Sequence, residues 1–127
     1  MNKFLFMVKR DFKLFVYDIL TCIDSIEEYL NKVNKRELFG NQLLQDAVVR
    51  RLEIIGEAAK NIPLRIKNQN KQIPWKKIIG LRNIITHEYF GVNLERVWNI
   101  TKDDLPELKK QIKKIFDDLN GQEKLVK

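Results

Sequence analysis

"DFKLFVYDILTCIDSIEEYL", residues 11–30, decides the fold class. Its apolar residues Phe12, Phe15, Val16, Ile19, Ile23, Ile26 and Leu30 recur at three- and four-residue steps, the spacing that lays side chains along one face of an α-helix. A strand would need sustained alternation with period two, and neither this stretch nor the rest of the chain has it. The spacing predicts a helix from near Asp11 to about Val33, and Phe4, Leu5 and Val8 carry the same stripe further back. Phe6, Met7, Leu14 and Tyr17 lie off the stripe. A helix apolar on more than one side calls for a second buried contact, such as a subunit interface.

Working outward, "NKRELFGN" (34–41) reads as a polar link, and Asn41 is placed to cap a second helix by accepting a backbone N–H. Leu44, Val48, Leu52, Ile55, Ala59 and Ile62 form its stripe. Gly56 inside that helix costs about 1 kcal/mol relative to Ala, so it is expected where a neighbouring backbone comes close. Pro63 and "KNQNKQ" (67–72) mark the exit. Pro74 suits the first position of a third helix, where its missing N–H costs nothing; Trp75, Ile78, Ile79, Leu81 and Ile85 give that helix its apolar surface. Gly91 reads as a stop, and Asn93 as the cap of a fourth helix through Leu94, Val97 and Trp98. Pro106 forbids an unperturbed helix through the residues before it. Asp103 and Asp104 suit a new helix start, followed by a stripe of Leu105, Leu108, Ile112, Ile115, Phe116 and Leu119. The expected architecture is an all-α bundle of four to five helices in one domain over residues 1–127. Residues 1–8 extend the first helix, and residues 120–127 form a frayed tail.

The totals agree with such a domain. A chain of 127 residues can bury a core without disulfides, and its one cysteine, Cys22, cannot form an internal one. No stretch approaches the roughly 20 apolar residues that span a bilayer, and the apolar run at the start is too short for a signal peptide. A soluble protein of the reducing cytoplasm is expected, with no membrane partner. The formal net charge of +7 is concentrated. From Ala58 to His87 the chain carries Lys60, Arg65, Lys67, Lys71, Lys76, Lys77 and Arg82 and no acidic residue, whereas the remaining 17 basic residues balance the 17 acidic ones. Such a segment fits a polyanionic partner, with Lys71, Lys76 and Lys77 as weak RNA-binding candidates; a solvated basic face is the plainer explanation.

That segment leads into "LRNIITHEYF" (81–90), which holds the single histidine, His87, five residues after Arg82 and two before Tyr89. On a continuous helix Arg82 and Tyr89 share a face, while His87 lies about 140° from Arg82. The guanidinium and imidazole then converge only if the helix ends near Thr86 or if both reach something lying across its end. One His and one distant Cys make no zinc site, no Gly-rich phosphate loop is present, and only Glu88 adjoins the motif as a carboxylate. Neither a metal nor a cofactor is expected. What remains is acid–base chemistry at an imidazole titrating at about 6.5, beside a guanidinium that stabilises an anion. RNA cleavage needs a base for the 2′-hydroxyl, an acid for the leaving 5′-oxygen, and positive charge at the phosphate. One histidine per chain makes two proton transfers awkward, and a twofold dimer would supply a second. Simpler roles stand beside these: His87 as a cap or packing residue, Arg82 paired with Glu53 or Glu57, Tyr89 buried with Phe90, Trp75 and Trp98 in the core.

"AVVRRLEIIGEAAKNIP", "IPWKKIIGLRNIITHEYFGVNLERVW" and "DDLPELKKQI" together resemble the HepT-like branch of the HEPN superfamily, over roughly Lys9 to Leu119. The family signature is an Arg, four to six residues, a His, and in this branch a Tyr two positions later; here these are Arg82, His87 and Tyr89, with the usual polar residue after the Arg present as Asn83. The resemblance implies a metal-independent endoribonuclease, the toxin of a toxin–antitoxin pair. It also implies a helical homodimer with a cleft between protomers, able to assemble further with its antitoxin. That antitoxin is a minimal nucleotidyltransferase that moves AMP from ATP onto the motif tyrosine. Arg82, His87 and Asn83 are then the catalytic residues, and Tyr89 is the AMP acceptor. The alternative is a non-catalytic subunit that docks a nucleotidyltransferase or binds nucleic acid without cutting it.

Overall fold

The stripe of residues 12–30 is buried as its spacing predicts: Phe12, Val16, Ile19, Ile23, Ile26 and Leu30 are all core residues, and Phe15 is half-buried against them. A computed structural model describes residues 3–87 and 91–126, with side chains for 12–83, 85 and 91–121. The stripe belongs to α1 (Lys3–Tyr29), a helix of 27 residues. It stops short of Val33 because the chain turns at Lys32, which takes a left-handed φ of 59°. The side chains of residues 4–8, read as a continuation of the stripe and a second contact, lie outside those described.

The second long helix, α3 (Gln42–Lys60), is capped as expected, with the Asn41 side chain accepting the Leu44 N–H at 3.0 Å. Val48, Leu52, Ile55, Ala59 and the following Ile62 are buried, and this face packs on α1. The link before it is not a plain loop. It contains a short helix, α2 (Lys35–Phe39), held by a capping box: Asn34 accepts the Glu37 N–H at 2.8 Å while the Glu37 carboxylate accepts the Asn34 N–H at 3.2 Å. One apolar residue is enough to seat it, since Leu38 is completely buried. Likewise the polar exit after Pro63 contains α4 (Leu64–Gln69), anchored by Ile66.

The stretch expected as a third helix is two. α5 (Trp75–Ile79) and α6 (Leu81–Ile85) meet at Gly80, and Pro74 stands just before α5 rather than inside it. Trp75 is buried, and its indole N–H donates to the Asn70 carbonyl at 3.0 Å. After α6 come two short strands, β1 (Thr86–His87) and β2 (Gly91–Val92), paired antiparallel with Thr86 opposite Val92 and His87 opposite Gly91.

Asn93 then caps α7 (Leu94–Asn99), accepting the Arg96 N–H at 3.1 Å. The break expected before Pro106 takes another form. Residues Ile100–Asp104 form a π-helical turn, in which the Leu105 N–H reaches back to the Ile100 carbonyl, and the chain stays helical into α8 (Leu105–Val126). Proline has no N–H for the carbonyl four residues earlier, and a widened turn absorbs that loss without ending the helix. α8 therefore continues through residues 120–126, the segment read as a tail. It packs on α1 through Leu105, Leu108, Ile112 and Ile115, and Lys109 fastens the rim by pairing with Asp24 at 3.1 Å and Glu27 at 3.0 Å. Among the described residues no helix is long and apolar enough to cross a membrane.

Candidate active site

The placement of Arg82 begins with Gly56. A Cβ added there would sit 3.1 Å from the Ile78 carbonyl oxygen and 3.5 Å from that of Ile79, so the absent side chain is what allows the end of α5 to lie against α3. Gly80 then turns the chain, and α6 starts from that contact with Leu81 and Ile85 buried beneath it and Arg82 and Asn83 exposed. The Asn83 N–H donates to the Gly80 carbonyl at 3.0 Å, which fixes the first turn.

Arg82 stands at one side of a cleft of about 370 Å³. The opposite walls come from α1, with Phe15 and Asp18, and from α3, with Arg50, Glu53, Ile54, Glu57 and the following Asn61. Neither glutamate forms an ion pair with Arg82 among the described residues; Glu53 is paired within its own helix to Arg50, at 3.9 Å. Glu53 and Glu57, the partners the sequence suggests for Arg82, thus line its cleft without pairing to it, and Asp18 of α1 is a third carboxylate that the sequence did not point to. The signal available in the sequence was the second spacing on α3, where Arg50, Glu53, Ile54, Glu57 and Asn61 follow one another along the side of the helix away from its core stripe.

The helix end settles the relation between Arg82 and His87. α6 stops at Ile85, so the five-residue separation crosses from helix to strand and the helical offset of about 140° does not apply. The Asn93 N–H donates to the Ile85 carbonyl at 2.8 Å, closing the base of the hairpin on the end of α6. Gly91, opposite His87, has a φ of 77°, a left-handed value that a side chain disfavours. His87 thus leaves the helix on a strand held on one side by Gly91 and Val92. Its side chain and the whole of Tyr89 lie outside the described residues.

The remaining predicted residues are distributed along the surface. Lys71, Lys76 and Lys77 are exposed, and Lys77 pairs with Asp104 of the π turn at 3.2 Å, so Asp104 serves a tertiary contact beyond any helix-start role. Trp98 is half-buried against the core with the Lys102 ammonium 4.7 Å from its ring centre. Cys22 is buried; burial pushes its thiol pKa up, opposed by the Arg51 guanidinium 4.0 Å away. Among the described residues no three His, Cys, Asp or Glu side chains are grouped as metal ligands.

The model of the family described as "Ribonuclease HepT-like" matches residues 19–115, a span that includes α6 and the hairpin. The chain belongs to the HepT-like family of ribonucleases. It is 42% identical over 113 residues to "Gamma-glutamylcyclotransferase and putative RNase MJ0434" of Methanocaldococcus jannaschii, covering 89% of this chain and 51% of that protein. The chain therefore spans about half the length of that relative. A second protein of the same organism, "Putative RNase MJ1216", is 42% identical over 117 residues, covering 92% of this chain and 97% of that one. "Probable ribonuclease HepT" of Thermococcus cleftensis is 38% identical over 108 residues, covering 85% and 98%. No solved structure matches the chain significantly. The family expected from "LRNIITHEYF" and its flanks is thus the one found. Within the span matched, α6 carries Arg82 and the hairpin carries His87.

Proposed function

We propose that this chain is a metal-independent endoribonuclease, the toxin of a toxin–antitoxin pair, acting as a homodimer whose motifs share one cleft. The observation that carries the reading is the end of α6 at Ile85, which sends His87 onto the hairpin immediately beyond the helix that presents Arg82 to a cleft. Membership of the HepT-like family supports the substrate class.

The chemistry assigned to these residues is a transesterification. His87 takes the proton of a 2′-hydroxyl, the 2′-oxygen attacks the adjacent phosphorus, and the bond to the 5′-oxygen breaks as that oxygen receives a proton. The second imidazole, from the partner copy, supplies that proton. Arg82 neutralises the charge that builds on the phosphate, and Asn83, next to it on α6, orients the same group. The products are a 2′,3′-cyclic phosphate and a 5′-hydroxyl. Lys71 and Lys76 guide the RNA backbone, with Lys77 in a lesser role because Asp104 already holds it. Tyr89 accepts AMP from a cognate nucleotidyltransferase antitoxin, with release of pyrophosphate from ATP, and the added nucleotide closes the cleft.

RNA incubated with the purified protein in EDTA should yield 2′,3′-cyclic phosphate ends, and His87→Ala should abolish cleavage while retaining the helical circular dichroism of the parent. Cleavage that survives His87→Ala, or that appears only with added divalent metal, would overturn this mechanism. Transfer of label from α-labelled ATP in the presence of the antitoxin should be lost in Tyr89→Phe.

A further inference from the structure

We propose that Trp98 is a stacking platform for an unpaired base of the RNA, and that Lys102, which lies over its ring, moves to the phosphate beside that base. This rests on the nuclease reading above and narrows its substrate to single-stranded RNA. Trp98 packs against the core, yet it is only half-buried. The Lys102 ammonium stands 4.7 Å from the centre of its ring, and Lys102 is itself exposed. A lysine keeps its charged head in water, so the face of the indole beneath that head borders solvent. Trp75 makes the contrast: it is buried, and its N–H is satisfied by the Asn70 carbonyl, as a core indole requires.

The fold steadies this ring and ties it to the motif. α7 starts at Asn93, whose N–H closes the hairpin on the end of α6, and α7 packs on α6 itself. The widened turn at Ile100–Asp104 follows at once; in it the buried Thr101 hydroxyl donates to the Trp98 carbonyl at 2.8 Å, which fixes the backbone under the indole. Single π turns recur at functional sites. This one also meets α5, where Asp104 takes Lys77 at 3.2 Å, so the turn that carries Lys102 abuts the α5 lysines. Of the carboxylates in this stretch, Asp104 is held by Lys77 and Glu95 by Lys35, which leaves Asp103 against the exposed Arg96 and Lys102. Charge here admits a phosphate, where the carboxylates of the cleft wall repel one. A base takes the place of the ammonium because stacking on an indole outweighs an exposed cation over the same ring, and the displaced ammonium gains a phosphate. Duplex RNA presents no splayed base and is a poor ligand for such a ring.

The test is a fluorescence titration of the full chain with a short 2′-O-methyl RNA, single-stranded and of mixed sequence, whose blocked 2′-oxygens prevent cleavage. Tryptophan emission should be quenched as the strand binds, and Trp98→Phe should abolish the quenching, since the buried Trp75 is out of reach. A strand of the same length with abasic sugars should bind at least about tenfold more weakly. In cleavage of ordinary RNA, Trp98→Leu should raise KM by about tenfold with kcat within about twofold, and Trp98→Phe, which keeps an aromatic face, should restore most of the loss. Lys102→Ala should lower the salt dependence of binding by about one phosphate contact. A strand that binds by anisotropy without quenching, or an abasic strand that binds as tightly as the intact one, overturns the platform, as does a chain that binds neither. Cleavage of RNA without quenching removes the platform and leaves the nuclease reading; quenching by a chain that cuts no RNA removes the nuclease reading and leaves the platform.

Discussion

Replacing Gly56 with alanine sets two known effects against each other at the point where α3 supports the site. Alanine in a helix interior is favoured over glycine by about 1 kcal/mol. Against this, the new Cβ would stand 3.1 Å from the Ile78 carbonyl oxygen and 3.5 Å from that of Ile79, and the nearer atom belongs to the backbone of α5 and not to a flexible side-chain tip. Overpacking of this kind costs roughly 1–3 kcal/mol. The net expectation is a loss of about 1 kcal/mol, read as a lower urea midpoint with an unchanged slope. Relief of the contact moves α5, and with it α6 and Arg82, by a few tenths of an ångström. If a misplacement of about 1 Å costs on the order of a hundredfold in rate, a shift of that size costs about fourfold. Urea titration followed by circular dichroism and RNA cleavage under single-turnover conditions measure the two effects. A variant more stable than the parent by the full helix-propensity gain, with cleavage unaltered, would refute the claim that α5 presses on this glycine.

Two further outcomes follow from residues away from that contact. Gly91→Ala places a side chain at a φ of 77° with open space around it, so its cost is backbone strain alone, about 1–2 kcal/mol; thermal unfolding should show that loss, and hydrogen exchange of the hairpin amides should accelerate more than that of α1. The Cys22 thiol is pushed up by burial, so the folded state favours its neutral form. Its contribution is therefore complete below the ordinary value of 9.0 and is lost as the pH rises through the higher folded value. Urea midpoints of the parent should fall between pH 8 and pH 10 by more than those of Cys22→Ala, and an equal fall in both would remove the thiol as the cause.

The long elements were legible because a single physical signal fixes them. α3 and α8 each bury one stripe against α1, and the stripe is written in the sequence at helical spacing; the caps at Asn41 and Asn93 are local and were equally readable. The short helices were harder. α2 rests on one buried leucine and a reciprocal pair of hydrogen bonds between Asn34 and Glu37, too little periodicity to register, although the pairing of Asn with Glu three residues on was a readable start signal. The division at Gly80 and the π turn at Ile100–Asp104 depend on tertiary fit: α5 must end where Gly56 admits it, and the helix before Pro106 widens with Ile100 and Thr101 still buried.

For the site, the resemblance to the HepT-like motif carried the choice of residues but not their geometry. Read as a helix, Arg82 and His87 point apart; once α6 ends at Ile85 they are separated by a change of element, and five residues become a short path from the last turn of a helix onto a strand that Gly91 and Asn93 hold in place. Of the carboxylates around Arg82, Glu53 and Glu57 are ones the sequence suggests as its partners, whereas Asp18, 64 positions away, is announced by no local pattern. They change what the basic run from Lys60 to Arg82 can be taken to mean. On the nuclease reading, Arg82 would meet a polyanion beside an acidic wall and not in the middle of a positive field. On that reading such a wall sets direction as well as affinity: a phosphate held by Arg82 would be repelled from the side of α1 and α3.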